Sequence, residues 1–185
     1  MPNLTRPTDL PLLREQIWEE LQQCVGDKAH PWRTPVLATC DGEGADARTV
    51  VLRDVNAAAR KLVIYTDSRS PKVAQLQRHP MGTLVFWCPT LNWQLRLRCR
   101  LQVATEGLAV SSRWAKLKLS ASAQDYLSPV APGTELDAPA VSIHGERSHF
   151  ALMYAEVSEL DWLELHPDGH RRAMFGAQGA RWLMP

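Results

Sequence analysis

The amino-acid sequence predicts a mainly β protein, a small antiparallel barrel of about seven to eight strands with appended α-helices. One observation is a series of short β-branched and aromatic segments separated by turn residues. Another is the segment 92–104, in which apolar and polar side chains alternate strictly, as they do in a half-buried strand. Only a few segments show helical spacing. These patterns favour one curved sheet over layers of helices.

The chain begins with a predicted amphipathic helix over about residues 10–26. Leu13, Ile17, Leu21 and Cys24 repeat at helical spacing, and Gly26 is a typical terminator. The barrel is expected to occupy about residues 35–185. Its first strands are predicted over residues 35–40 and 47–55, joined by the turn residues 41–44.

Further strands are predicted over residues 61–66, 82–88, 92–104, 150–157, 160–165, 171–175 and 181–183. Ser70 and Pro71 predict the start of a short helix that ends at residue 78. Residues 111–127 have a helical pattern. The Pro-rich residues 128–139 are expected to form a loop that covers a site or an interface.

Composition limits the class of protein. A chain of 185 residues with 45% apolar and 22% charged residues predicts a single globular domain over residues 1–185. The net charge of +1 argues against nucleic acid as the main partner. The sequence has no apolar stretch of membrane-spanning length and no secretory signal pattern, so we expect a cytoplasmic protein without a membrane partner. The scattered cysteines predict buried, reduced thiols and no metal site.

Basic and hydroxyl residues mark one candidate binding site. Residues 68–72 (SRSPK) lie where a strand ends and a helix begins, so hydroxyls, free backbone N–H groups and Lys72 can converge on an anion. The alternative is an ordinary capped helix with solvated basic residues. The sequence lacks the glycine-rich motifs of dinucleotide and nucleoside triphosphate sites.

Three arginines form a second candidate surface. Arg96, Arg98 and Arg100 project from one face of the alternating strand, together with Gln94. Three guanidinium groups side by side repel one another unless solvent or anions separate them. The face is therefore either solvated or part of a dimer or ligand interface.

In order along the chain, RTVVLR (48–53), YTDSRSPK (65–72), FWCPTLNWQLRLRCRLQ (86–102) and LDWLELHPDGHRR (160–172) resemble the pyridoxamine 5'-phosphate oxidase-like family of FMN-binding split barrels. The resemblance covers most of residues 35–175. It implies a split β-barrel, an FMN cofactor, and a homodimer with FMN at the subunit interface. It also implies a flavin-dependent oxidoreductase acting on a small-molecule substrate.

The resemblance assigns cofactor roles residue by residue. Arg48, Ser70 and Lys72 would face the FMN phosphate or ribityl chain, Val50 and Val51 would pack along the isoalloxazine, and Gln94 would meet a ring edge. The remaining cofactor residues that it implies are Thr49, Tyr65, Thr66, Trp162 and Arg172, of which the last two would close the site from the partner subunit. No catalytic residue is assigned.

Substrate positions depart from the family pattern. Arg53 and His170 are the implied substrate contacts, but the Arg-Pro-x-x-Ser segment of the family's true oxidases is absent and Asp168 stands where the family has an arginine. Pro71 also replaces a family arginine, for which Arg69 is the candidate substitute. We therefore expect an oxidase of an amine, an alcohol or a related small substrate that is poor on pyridoxamine phosphate. The alternatives are an NAD(P)H-dependent flavin reductase and a non-enzymatic flavin- or haem-binding protein.

Overall fold

The computed structural model describes residues 6–139, 145 and 148–185. Within them nine strands form one antiparallel sheet, with the order β2-β1-β5-β6-β7-β4-β3 and with β8 and β9 attached beside β7. The strands are β1 Val36–Cys40, β2 Ala45–Thr49, β3 Leu52–Asn56, β4 Lys61–Asp67, β5 Met81–Cys88, β6 Trp93–Ala104, β7 Phe150–Glu164, β8 Arg171–Gly176 and β9 Gly179–Leu183. The helices are α1 Leu10–Gly26, α2 Pro71–Arg78 and α3 Leu108–Leu117, with 3-10 turns at Pro31–Arg33 and Ala121–Tyr126.

Strand β7 is where the sheet forks. It pairs with β6 along most of its length, while its first half, from Phe150, pairs with β4 and its second half, from Leu160, pairs with β8. A β-bulge interrupts the β6–β7 register between Arg98 and Cys99, and such bulges bend strands and increase their twist. The mainly β split-barrel prediction is confirmed.

The two edges of the sheet meet at a seam. Strands β2 and β3 lie at opposite ends of the strand order, yet only Val50 and Val51 separate them in sequence. The sheet must therefore curl until these edges are adjacent. We call residues 49–53 at this junction the seam.

Helix α1 begins and ends where the sequence predicts. The Asp9 side chain accepts a hydrogen bond from the Leu12 N–H (3.2 Å) and so caps the helix. Leu13, Ile17 and Leu21 are fully buried in the main apolar core. Buried tryptophans fill much of the rest of this core: Trp32, Trp93 and Trp162.

Several boundaries differ from the predictions. The expected strand 47–55 is two strands, because the chain turns from one sheet edge to the other at the seam. The two expected strands 150–157 and 160–165 are one, β7. The described residues form nine strands, against the seven to eight expected. The helical pattern 111–127 is divided into α3 and a 3-10 turn. Cys40 is exposed, whereas Cys24, Cys88 and Cys99 are buried as expected. None of the described helices is long and apolar enough to cross a membrane.

Candidate functional site

A cleft of about 260 Å³ lies between the seam, the end of β4 and the start of α2. Eight of the predicted cofactor and substrate residues line it: Thr49, Val50, Val51, Arg53, Tyr65, Thr66, Ser70 and Lys72. These residues come from three separate stretches of sequence. The closure of the sheet at the seam brings them together.

A lysine and two hydroxyls form one end of the cleft. The Lys72 ammonium donates to Ser70 Oγ (3.0 Å) and lies 3.4 Å from Thr66 Oγ1. Burial, and then the nearby positive charge of Arg48, lower the pKa of Lys72 from its ordinary value. Among the described residues, no carboxylate lies within ion-pairing distance of Lys72. This end of the cleft therefore holds a half-buried cation without a counter-ion.

Ser70 confirms one prediction and corrects another. It occupies the N-cap position of α2, and Pro71 follows at the first helical position. Its hydroxyl, however, makes no capping hydrogen bond with the helix and instead accepts from Lys72. The backbone N–H groups at the start of α2 thus lack this side-chain cap, as they do in many anion sites.

Arg53 also lines the cleft. Its guanidinium lies over the Tyr65 ring, 5.3 Å from the ring centroid, a cation–π contact. Burial is the main cause of a raised pKa at Tyr126, and the nearby positive charge of Arg53 opposes it. The Nε atom of Arg53 is buried and has no hydrogen-bond partner. A buried donor of this kind is costly unless a ligand or water completes it.

Arg48 does not line the cleft. Its guanidinium donates to Thr39 Oγ1 (2.6 Å) and Gln75 Oε1 (3.2 Å) and forms an ion pair with Asp46. Gln75 also donates to Asp46 (2.9 Å), and this hydrogen bond is the main reason that the pKa of Asp46 is lowered. Arg48 therefore contributes positive potential behind Lys72, and its donors are already engaged.

Arg69 is also engaged. It forms an ion pair with the buried Asp67 (2.7 Å) and donates to the carbonyl groups of Ser128 (2.9 Å) and Pro129 (3.2 Å). These contacts correct the expectation that Arg69 replaces the missing arginine at Pro71, because its guanidinium is committed to protein acceptors.

Gln94 and Arg172 lie outside the cleft, on the outer face of the sheet. The register places Trp87, Gln94, Leu163 and Arg172 in one row across β5, β6, β7 and β8. Side chains directly opposite one another in such a row share a face. Gln94 and Arg172 thus form a second group on the surface of the sheet.

Asp161 lies two residues before Leu163 on the same face, in the row that also contains Arg96 and Met174. It receives hydrogen bonds from Arg172 (2.8 and 3.0 Å) and an ion pair from Arg96. Burial alone would raise the pKa of Asp161, but the two arginines hold it below its ordinary value. Arg98 and Arg100, which lie on β6 like Arg96, are exposed.

Two further predicted residues are also outside the cleft. The Trp162 side chain is fully buried between Trp93 and Trp182, with ring centroids 5.3 and 6.5 Å away. It can therefore act on a ligand only through the residues packed around it. His170 is exposed in the β7–β8 turn, where its Nδ1 accepts from the His166 backbone N–H (3.1 Å).

The structure also adds cleft residues that sequence reasoning missed. Asp125, Tyr126 and Pro132 line the cleft from the segment that follows α3. The Pro-rich composition of residues 128–139 had indicated a covering loop, and Pro132 confirms that part of it borders the site. Nothing in the local sequence of Asp125 and Tyr126 indicates which strands they face.

Comparisons with known proteins identify the family. A family model described as "Pyridoxamine 5'-phosphate oxidase, FMN-binding domain" matches residues 15–105. A pyridoxine/pyridoxamine 5'-phosphate oxidase from Caulobacter vibrioides is 34% identical over 98 residues, which are 51% of this chain and 43% of that protein. One from Chromohalobacter salexigens is 39% identical over 70 residues, 37% of this chain and 32% of that protein. The chain thus matches less than half the length of these relatives.

Solved structures share the fold along the whole chain. A pyridoxamine 5'-phosphate oxidase-related, FMN binding protein from Nostoc punctiforme has a TM-score of 0.74 at 22% identity, covering 96% of this chain and 100% of that one. PhzG from Burkholderia lata has a TM-score of 0.74 at 15% identity, covering 100% and 97%. At such identities the likeness shows the fold alone. The sequence matches place residues 15–105 in the pyridoxamine 5'-phosphate oxidase-like family, and the chain as a whole has the fold of that family.

Proposed function

We propose that this protein binds FMN in the cleft and works as an FMN-dependent oxidoreductase. The observation that carries the proposal is Lys72, a half-buried ammonium that shares two hydroxyls and has no carboxylate partner among the described residues. A desolvated cation of this kind is stabilised by a bound anion. The matched family model describes an FMN-binding domain, and a phosphate is the anion that FMN offers.

The residues of the cleft fit the parts of FMN. Lys72, Ser70 and the start of α2 would hold the phosphate. Val50 and Val51 offer backbone and apolar contact to the flat ring, and Arg53, which also lines the cleft, has an unpaired Nε donor. When bound, FMN would accept a hydride equivalent at its N5 from an amine- or alcohol-bearing carbon and pass the electrons to oxygen or another acceptor.

A second copy of the chain would complete the site. A cleft of about 260 Å³ is smaller than the usual range for sites that enclose a cofactor. On the outer face of the sheet, Val36, Met81 and Trp87 expose 39%, 43% and 43% of their surface, an apolar patch typical of an interface. This face extends from Thr49 at the cleft to Gln94. A two-fold contact across it would bring Gln94 and Arg172 of one chain near the cleft of the other.

The substrate is a small molecule other than pyridoxamine phosphate. A substrate phosphate needs several preorganised cations, and apart from Lys72, which the proposal assigns to the cofactor, Arg53 is the one cation among the described residues that line the cleft. Asp125 is exposed at the rim, and Asp168 is exposed beside His170. These carboxylates would repel a phosphate. We expect kcat/KM for pyridoxamine phosphate below about 10⁴ M⁻¹s⁻¹, the low end for ordinary enzymes.

Two other functions remain as alternatives, a flavin reductase that uses NAD(P)H and a non-enzymatic flavin or haem carrier. The lining of the cleft as described offers no histidine, cysteine or methionine, so a haem there would depend on Tyr65 or Tyr126 as its axial ligand.

Anaerobic reduction of the holoprotein separates these functions. Bleaching of the flavin by simple amines or alcohols, with slow bleaching by pyridoxamine phosphate and pyridoxine phosphate, supports the proposal. Rapid bleaching by NAD(P)H alone would assign a flavin reductase. A flavin that none of these donors reduces would assign a carrier.

A further inference from the structure

Residues 128–133, which we call the strap, lie against the start of α2. Pro132 lines the cleft, and a Cβ atom added to Gly133 would lie 3.2 Å from the ring of Pro71. Pro71 lies between Ser70 and Lys72, the residues that would hold the cofactor phosphate. The strap is therefore a wall beside the phosphate end of the cleft.

A single side chain ties the strap to this place. Arg69 donates to the carbonyls of Ser128 and Pro129, and the Val130 carbonyl is 3.5 Å away. On its other side, Arg69 forms bidentate contacts with Asp67, at 3.1 Å from Nε to Oδ1 and 2.7 Å from Nη2 to Oδ2. The planar guanidinium can serve the carboxylate and the carbonyls together, whereas a lysine ammonium is a compact point charge.

The Asp67 end of this bridge is held in place. Asp67 is buried, with 6% of its surface exposed, and belongs to β4. The Asp67 carboxylate also accepts from the Arg69 backbone N–H (2.8 Å), which holds the β4–α2 turn. Gly133 has φ +88°, in the left-handed region that favours glycine.

We infer that Arg69 is a specificity-determining residue, which holds the strap against α2 so that the cleft accepts a flavin mononucleotide and excludes a flavin dinucleotide. The inference rests on the proposed flavin site. A dinucleotide continues beyond the phosphate held by Ser70 and Lys72, and the strap borders this end. Arg69 acts through the strap and makes no contact with the phosphate, because its charge is already paired with Asp67.

The test compares three ligands, FMN, FAD and riboflavin, by calorimetric titration of the apoprotein. Arg69→Lys keeps a positive charge beside Asp67 but loses the guanidinium N–H groups that donate to the strap carbonyls. Gly133→Ala is a second variant, which crowds Pro71 and displaces the strap without changing a charge. Arg78→Lys is the matched control, because Arg78 is exposed in the last turn of the same helix.

We expect the wild type and Arg78→Lys to prefer FMN strongly over FAD. In Arg69→Lys and Gly133→Ala this preference should fall by about tenfold, the effect of losing one or two hydrogen bonds or the equivalent contact. The preference for FMN over riboflavin should stay within about twofold of the wild type, since Lys72 and Ser70 are intact.

Other results overturn the inference. A loss of the FMN preference over riboflavin in Arg69→Lys would make Arg69 a phosphate ligand. Unchanged selectivity in both variants would show that the strap does not select the cofactor. If the wild type binds none of the three flavins, the proposed function fails, and the inference fails with it.

Discussion

Replacing Lys72 by methionine removes the cation of the phosphate end while keeping a side chain of similar length. A lysine ammonium has three donors, and two of them point to Ser70 Oγ and Thr66 Oγ1. One donor is left for the phosphate. A single hydrogen bond to a charged group contributes about 1.5–3 kcal/mol, so Lys72→Met should weaken FMN binding by about 10- to 150-fold.

Riboflavin serves as the internal control because it lacks the phosphate. Its dissociation constant should change by less than about twofold in Lys72→Met, measured by quenching of flavin fluorescence. Lys61→Met is the matched control protein, since Lys61 lies at the opposite end of β4 and pairs with Glu156 (3.2 Å). An equal loss of FMN and riboflavin affinity in Lys72→Met would refute the assignment of Lys72 to the phosphate.

The same variant tests the electrostatic cost of burying Lys72 in the apoprotein. Because burial and Arg48 lower the pKa of Lys72 below its ordinary value of 10.5, the unfolded chain binds this proton more tightly than the folded apoprotein. The free energy of unfolding should therefore rise as pH increases from the lowered pKa towards 10.5. Lys72→Met should lack this contribution and should be no less stable than the wild type at neutral pH.

Three other predictions concern assembly, acid stability and the thiols. Dilution should release flavin together with dimer dissociation, and a monomer that keeps its flavin in sedimentation velocity would contradict the shared site. Asp161→Asn should lower the free energy of unfolding by about 1–3 kcal/mol at pH 7, and the difference from the wild type should shrink as pH falls below 3.8 through the lowered pKa of Asp161; equal urea stability at pH 7 would count against the arginine pairs. Cys40 should react fastest with a thiol reagent in the native protein at pH 8, because it is exposed, while burial raises the pKa of both Cys24 and Cys99 to about 12. Fast reaction of all four thiols would show that the core opens.

The sequence predicts the elements whose signals are local. Helix α1 has its apolar spacing, its Asp9 cap and its terminal Gly26 within one stretch, and the structure begins and ends it there. The break at Val50–Val51 has no such signal, because two valines favour a continuous strand. Closure of the sheet imposes this break, and closure depends on strands that are distant in sequence.

The same distinction applies to the candidate site. Thr66, Ser70 and Lys72 could be predicted together because they flank one strand-to-helix junction. Trp162 was predicted to contact the cofactor, but alternation along β7 directs it into the core, while Asp161 faces Arg96 and Arg172. The partners of such side chains come from other strands, and a single stretch of sequence does not show them.

The identity of the cofactor that the chain holds tests the proposed function most directly. Flavin released by heat from the purified protein, identified by chromatography and counted against protein concentration, measures this without any substrate. We predict FMN at one molecule per chain. Recovery of FAD, riboflavin or haem in its place, or a chain that takes up no FMN when it is added, would contradict the central claim.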